Sequence, residues 1–334
     1  MAQPTIKDVA KLAGVSISTV SRVMNNSKPV SKEARKKVED AIEKLDFKPN
    51  ELARSLVMKK SNSIGVLVKD IGIEYMTEII RGIEEVGRMY NFNILLSSTY
   101  GDLENAKESI DFLYRKQVEG IIVLSEDIEH EVLSKIMEYK IPYIQLDRYY
   151  KANDYNTVTI DFYEAMQEMI QYLIDTGHKN IAYITSDDRY EMTEHKENGY
   201  KFIIGKNSLE ELVYKGDNRD EEFIKSSMED ILNNHKKVTA IACCDDLTAI
   251  SVINFCYDNG ISVPDNFSVT GFGDSKLASI YRPRITTVNE PYYDIGAVAI
   301  RIMIKFLQNE YDFNDTIYLP TELKIRESSI NIES

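Results

Sequence analysis

The sequence predicts an α/β protein: a small all-helical head, residues 1–48, a short helical joint, 49–61, and a two-lobed, doubly wound body, 62–334. Three observations carry this. The first 60 residues contain helical apolar spacing and no strand-like run. From Ser63 onward, short β-rich runs alternate with helix-period stretches. And 334 residues with 43% hydrophobic content are more than one ordinary core needs.

In the head, Thr5 is placed to cap a helix whose apolar positions Ile6, Val9, Ala10 and Ala13 share one face. Asp8, three residues after the cap, completes a capping box, and Gly14 ends the helix where a left-handed residue is needed. Ser16 caps a second helix, Ile17 to about Met24, with Val20 and Val23 inward. A third follows Ser31, with Ala34, Val38, Ala41, Ile42 and Leu45 as its buried stripe. Helix, short turn, helix is the arrangement that lays its second helix in the DNA major groove. That assigns base contacts to Ile17, Ser18 and Arg22, with Arg22 suited to a bidentate guanine contact and Ile17 to a thymine methyl. Thr5, Ser16, Thr19, Ser21, Asn25, Ser31 and Asn50 are the candidates for phosphate contacts near helix starts.

Lys48-Pro49-Asn50 breaks the third helix, and Asn50 can cap a short helix Glu51–Met58. Its apolar Leu52, Ala53 and Leu56 would lie bare on a lone linker. In a two-fold dimer, two such helices would pair in the minor groove with Leu56 wedged between base steps. Docking on its own body is the alternative.

Charge separates head from body. Residues 1–60 hold 13 Lys and Arg against 7 Asp and Glu, and the remainder holds 27 against 47. A basic head on an acidic body lets only the head approach phosphates. No apolar run has the length of a membrane span, and the N-terminus lacks the pattern of a secretory signal, so a cytoplasmic protein is expected. The three cysteines, Cys243, Cys244 and Cys256, have no metal-ligand spacing and read as buried thiols.

In the body the runs SIGVLV, NILLSS, GIIVLS, YIQLD, TVTI, NIAYITS, AIACCDD and SVTGFGD predict strands. Tyr75–Tyr90, Leu103–Arg115, Phe162–Thr176 and Asp246–Asn259 predict helices between them. Continuous apolar strands spaced by helices mean parallel sheets covered on both faces. Two lobes follow, about 62–160 with 290–320 and about 161–289 with 321–334, and a ligand cleft belongs between them at the strand carboxyl ends. An enzyme is not expected. There is no phosphate-binding glycine loop and no nucleophile elbow, and His130, His178, His195 and His235 are scattered in polar, exposed settings. Asp187-Asp188 and Asp245-Asp246 read as solvated loop ends, and neither a cofactor nor a metal is expected.

TIKDVAKLAGVSISTVSRVMNN followed by KPNELARSL resembles, without a gap over about 60 residues, the headpiece and hinge of the lactose-repressor family of bacterial regulators. The resemblance extends through the body, whose fold in that family is periplasmic-binding-protein-like. It implies a homodimer on a near-palindromic double-stranded operator. RGIEEV, KQVEGII, LIDTGHKNIAY and RPRITTVNEPYYDIGAVAIR are closer to the family's catabolite-control branch. For that branch the implied corepressor is the phosphocarrier HPr phosphorylated on serine, bound on the first lobe. The match puts Arg282 on the phosphoserine, with Arg284, Lys276 and Tyr281 around it. Tyr75, Met76 and Arg81 supply the rest of the patch. A phosphoserine wants such an arginine fork.

Departures accompany the match. Ile17-Ser18 stand where the branch usually has Met-Ala, and Met76 where an aromatic is usual. In the cleft, Lys196 replaces the usual Arg, Cys244 precedes Asp245 where a polar residue is common, and Gly273 takes the place of an acid unless Asp274 substitutes. The cleft, through Lys196, Asp245 and Asp274, is therefore expected to bind little, or only a weak sugar-phosphate modulator. The dimer interface is expected on Tyr292–Phe306, through Ile295, Val298, Ile302 and Phe306, although core packing explains that stripe equally well. Two rival readings remain. One is a sugar-responsive repressor of a single operon, and the other is a transport solute-binding protein, which a helix-turn-helix speaks against.

Overall fold

The computed structural model of the chain describes residues 4–25, 29–47, 61–124, 130–146, 157–188, 190–310 and 316–332. It divides into two compact units, Met1–Asn62 and Ser63–Ser334.

The head is three helices, α1 (Ile6–Ala13), α2 (Ile17–Asn25) and α3 (Lys32–Leu45). Thr5 donates to Asp8 Oδ2 from both its amide (2.8 Å) and its hydroxyl (2.7 Å), which fixes the start of α1. Gly14, at φ 66°, ends it. Ser16 Oγ accepts from the Thr19 amide at 3.1 Å, and Ser31 Oγ accepts from the Ala34 amide at 3.2 Å. Val9, Ala10, Ala13, Val20, Val23, Val38, Ala41 and Phe47 form the core. Of the joint at 49–61, residues 49–60, with Asn50, Leu52, Ala53 and Leu56, lie outside the described residues.

The body opens with β1 (Ser63–Val68), α4 (Glu74–Met89), β2 (Asn93–Ser98), α5 (Leu103–Arg115), β3 (Gly120–Leu124), α6 (His130–Glu138), β4 (Tyr143–Gln145) and β5 (Thr157–Ile160). The chain then crosses to a second lobe at Asp161, whose side chain caps α7 (Phe162–Asp175). There it builds β6 (Ile181–Ser186), α8 (Glu191–Lys206), β7 (Val213–Gly216), α9 (Glu221–Asn234), β8 (Ala240–Cys243), α10 (Asp246–Asp258), β9 (Ser268–Gly273), α11 (Lys276–Ile280) and β10 (Thr286–Asn289). It crosses back for α12 (Tyr292–Leu307) and β11 (Thr316–Leu319), and a last time for β12 (Glu322–Lys324).

Both sheets have six strands, in the orders β11-β5-β4-β3-β1-β2 and β12-β10-β9-β8-β6-β7. Neighbouring strands run parallel throughout, except β10 and β12. Every residue of β3, β8 and β9 is buried, as expected of strands covered on both faces.

Helices α4 and α12 pack with their backbones almost touching. A Cβ on Gly82 would lie 2.1 Å from the Tyr293 carbonyl oxygen, and one on Gly296 2.1 Å from that of Ile79. This contact decides the stripe on α12. Ile295 and Ile302 are buried and Val298 packs on the same core, so they hold the first lobe together and do not form an outer dimer face. A second correction concerns His178. It is 1% exposed, with Nδ1 2.9 Å from Thr239 Oγ1 and Nε2 3.2 Å from the Ile330 carbonyl. Burial, opposed by that carbonyl, holds its pKa below the usual imidazole value. All three cysteines are buried, and burial pushes the Cys244 thiol up to about 12. No described helix is long and apolar enough to cross a membrane.

Candidate nucleic-acid interface and interlobe cleft

Burying Val20 and Val23 turns the opposite face of α2 outward. Ile17 is 46% exposed, and Ser18 and Arg22 are exposed beside it. The three occupy the first turns of the helix, where a major-groove helix meets base edges. No described carboxylate pairs with Arg22. Three hydroxyls cluster at the same end: Ser16 Oγ lies 2.8 Å from Ser18 Oγ and 2.9 Å from Thr19 Oγ1. They sit at a positive helix end, a place suited to a phosphate oxygen. Ser21 is half-buried on the inner side of the same helix. Thr5 and Ser31 already serve caps, and Thr5 gives its hydroxyl hydrogen to Asp8. The side chain of Asn25 lies outside the described residues.

The interlobe cleft is organised in the opposite way. Lys196 is 2% exposed; its Nζ donates to the Cys244 carbonyl at 3.0 Å and stands 3.8 Å from the centre of the Phe272 ring. Asp245 caps α10 by accepting from the Thr248 amide, and the Arg219 guanidinium grips both its oxygens at 3.1 and 2.7 Å. Asp274, at φ 51° after Gly273 at φ 122°, pairs with Arg326, and its other oxygen lies 3.3 Å from Asn289 Nδ2. All three residues expected to meet an effector are thus spent on protein partners. Sequence reasoning missed Arg219 and Arg326 because each is far in sequence from its carboxylate. Above them, Tyr75 stacks on Tyr292 with ring centres 5.6 Å apart. The space left among Tyr75, Met76, Leu146, Ile160, Phe162 and Tyr292 is about 30 Å³, room for little more than a water.

Asp245 and Asp246 are adjacent but opposite in character, and neither is a solvated loop end. Burial pushes Asp245 up, but the Arg219 charge and hydrogen bonds outweigh it and hold the carboxyl below its usual value. Asp246, 2% exposed, accepts from Thr287 Oγ1 and the Ser275 amide, both at 2.6 Å, and meets no cation among the described residues. Burial pushes it up to about 6.

Comparison with known proteins gives this geometry its context. Residues 5–50 match the model for bacterial regulatory proteins of the lacI family, and residues 170–329 match a periplasmic binding protein-like domain. The chain is 34% identical over 329 residues to catabolite control protein A of Priestia megaterium, covering 97% of this chain and 99% of that one. The chain belongs to the lacI family. Another relative is the HTH-type transcriptional regulator RegA of Clostridium saccharobutylicum, 38% identical over 334 residues, with 98% and 99% covered. Among solved structures, a lac repressor dimer bound to operator and an anti-inducer aligns with a TM-score of 0.87 at 22% identity, covering 98% of this chain and all of that one. The transcription regulator CcpA of Lactococcus lactis aligns with a TM-score of 0.71 and 26% identity, over 80% of this chain and 98% of that one. The protein is a lacI-family DNA-binding transcriptional regulator close to catabolite control protein A.

The residues that the resemblance groups as one patch fall on both lobes. Arg282, Arg284, Lys276 and Tyr281 sit on the second lobe, in α11 and the loop that enters β10. Tyr75, Met76 and Arg81 sit on α4 of the first lobe. Arg284 is paired with Glu327 at 2.8 Å. Arg282 Nη1 folds back onto the carbonyls of Ile280 (2.9 Å) and Tyr281 (2.8 Å). Met76 is 1% exposed, because it faces the seam between the lobes, and cannot belong to a surface patch. Arg81 is half exposed but pairs with Glu78 at 2.6 Å and lies over the Tyr293 ring.

Proposed function

We propose that this regulator mediates carbon catabolite repression, binding a pseudo-palindromic operator as a homodimer with serine-phosphorylated HPr as corepressor. The observation that carries the reading is the exposed face of α2, Ile17, Ser18 and Arg22, with Arg22 unpaired to any described carboxylate, on a chain alignable over 97% of its length with catabolite control protein A. In this reading Arg22 reads guanine, Ile17 contacts a thymine methyl, and the hydroxyls of Ser16 and Thr19 approach phosphate. Asn50 and Leu56 act in the minor groove once two hinges pair.

A protein corepressor fits a cleft whose polar groups are already satisfied internally, because the signal then enters from outside the lobes. Because Arg282 and Arg81 belong to different lobes, this reading assigns the phosphoserine contact to one lobe. Arg282 remains one candidate. On the first lobe, Arg301 and Lys305 lie one turn apart on α12, both exposed and neither paired to a described carboxylate. Corepressor binding shifts the population toward the arrangement in which the hinges pair, a coupling of typically about 5–150-fold in affinity.

The test is operator affinity at fixed salt with serine-phosphorylated HPr, unphosphorylated HPr or neither, in wild type, Arg282→Ala and Arg301→Ala. A gain of several-fold from the phosphorylated partner alone, lost in one of the two variants, is the expected result and identifies the lobe. Equal affinity in all cases ends the corepressor reading. It leaves the sugar-responsive repressor of a single operon, which a screen of sugars against operator release would then address.

A further inference from the structure

Beside the seam that Tyr75 and Tyr292 close, a second recess of about 300 Å³ lies between the start of α7, the outer face of α8 and strand β11. None of the effector positions discussed above lines it. Asp161, Glu191, His195, Asn198, Tyr163 and Tyr318 do, with Phe162 behind them. Its chemistry is one-sided. Two carboxylates face it and no lysine or arginine does among the described residues.

The carboxylates have capacity to spare. Asp161 uses Oδ1 to accept from the Glu164 amide at 2.9 Å, which leaves its second oxygen uncommitted. Glu191 Oε1 lies 3.2 Å from His195 Nε2. The Glu191 side chain is 24% exposed, with Oε2 turned inward and without a hydrogen-bond partner among the described residues. A carboxylate in this position is reached by water and keeps an acceptor open to a donor on a ligand. Two acids repel an anion, which excludes sugar phosphates here. Two carboxylates and one imidazole are a poor set for a hard metal ion, which takes six or more oxygens. Aromatic rings beside acids suit an organic cation, because a ring face attracts an ammonium group and a carboxylate accepts its hydrogen bonds.

We propose that this recess binds a small organic cation, an alkylammonium or quaternary ammonium compound, with Glu191 and Asp161 supplying charge and Tyr163 and Tyr318 supplying ring faces. The ligand would touch β5 and β11 of one lobe and α7 and α8 of the other, so its binding bridges the lobes. The proposal does not depend on the identity of the corepressor.

Calorimetric titration of the full-length protein with choline and with 1,4-diaminobutane tests it, with sodium chloride at matched ionic strength and glucose 6-phosphate as controls. One of the two cations gives a saturable single-site isotherm, and the sugar phosphate neither binds nor competes. Glu191→Gln weakens that binding by about tenfold or more, the scale of a charge-assisted hydrogen bond. Tyr318→Ala, at an exposed position (58%), weakens it several-fold and serves alone if the first variant fails to fold. The proposal is overturned if neither cation saturates. It is equally overturned if both variants bind as wild type does, the sign of diffuse attraction to an acidic body.

Discussion

The recognition helix and the interlobe cleft both offer polar side chains where a lacI-family protein is expected to meet a ligand, but they treat them differently. On α2, Arg22 and Ser18 are exposed and Arg22 has no described acidic partner. In the cleft, Lys196, Asp245 and Asp274 are engaged by Cys244, Arg219 and Arg326. A group meant for a ligand is left unsatisfied at a surface where water can stand in. A group buried without water must be satisfied by the protein itself. Residue type at a family position therefore does not settle whether that position still binds.

This contrast can be broken by experiment. The largest effect is expected from Lys196→Ala. It removes a buried chain, its bond to the Cys244 carbonyl and its contact with Phe272, at a cost of about 2–5 kcal/mol in urea unfolding. If Lys196 were a ligand-binding group held open, the loss would fall on effector response and leave stability intact.

Next is the pH dependence of Asp246. Its folded pKa of about 6 lies above the unfolded value of 3.8. The stability it contributes is therefore full below about pH 4 and lost as pH rises through 6, about 3 kcal/mol for two pKa units. Asp246→Asn should remove that slope from unfolding midpoints measured between pH 4 and 7. His178 acts with the opposite sign, since its depressed pKa costs stability as pH falls below 6.5. The double variant with His178→Gln separates the two.

Arg22→Ala should weaken operator binding by about 1–3 kcal/mol and relax the preference at one base pair, with the melting temperature unchanged. A comparable loss on every sequence would make Arg22 a phosphate contact. The smallest effect is expected from Ile17→Ala, under about 1 kcal/mol and confined to one thymine-bearing position, read by competition between operators differing there.

Much of the fold was legible because its signals are local. The caps at Thr5, Ser16 and Ser31 and the apolar runs of β1, β3 and β9 act within one element. β7, with Lys215 and Gly216 in a half-exposed edge strand, and β12, three residues long, carry too little apolar pattern to stand out. The recognition helix was legible for the same reason, since helical spacing alone turns Ile17, Ser18 and Arg22 outward. The cleft was not. Asp245 meets an arginine 26 residues upstream, and Asp274 one 52 residues downstream, and no periodicity reports such pairs. The same blindness misplaced Met76, whose burial depends on Leu146 and Tyr292 arriving from elsewhere.

The closing strands β11 and β12 belong to opposite lobes yet are separated by only Pro320 and Thr321. On a ribosome, neither sheet receives its last strand until some 320 residues have emerged, by which time the head has long been free to fold on its own. The two lobes reach completion almost at the same moment, whatever the order in which their first strands appeared. A nascent body thus passes through synthesis with two incomplete sheets rather than with one finished lobe and one waiting.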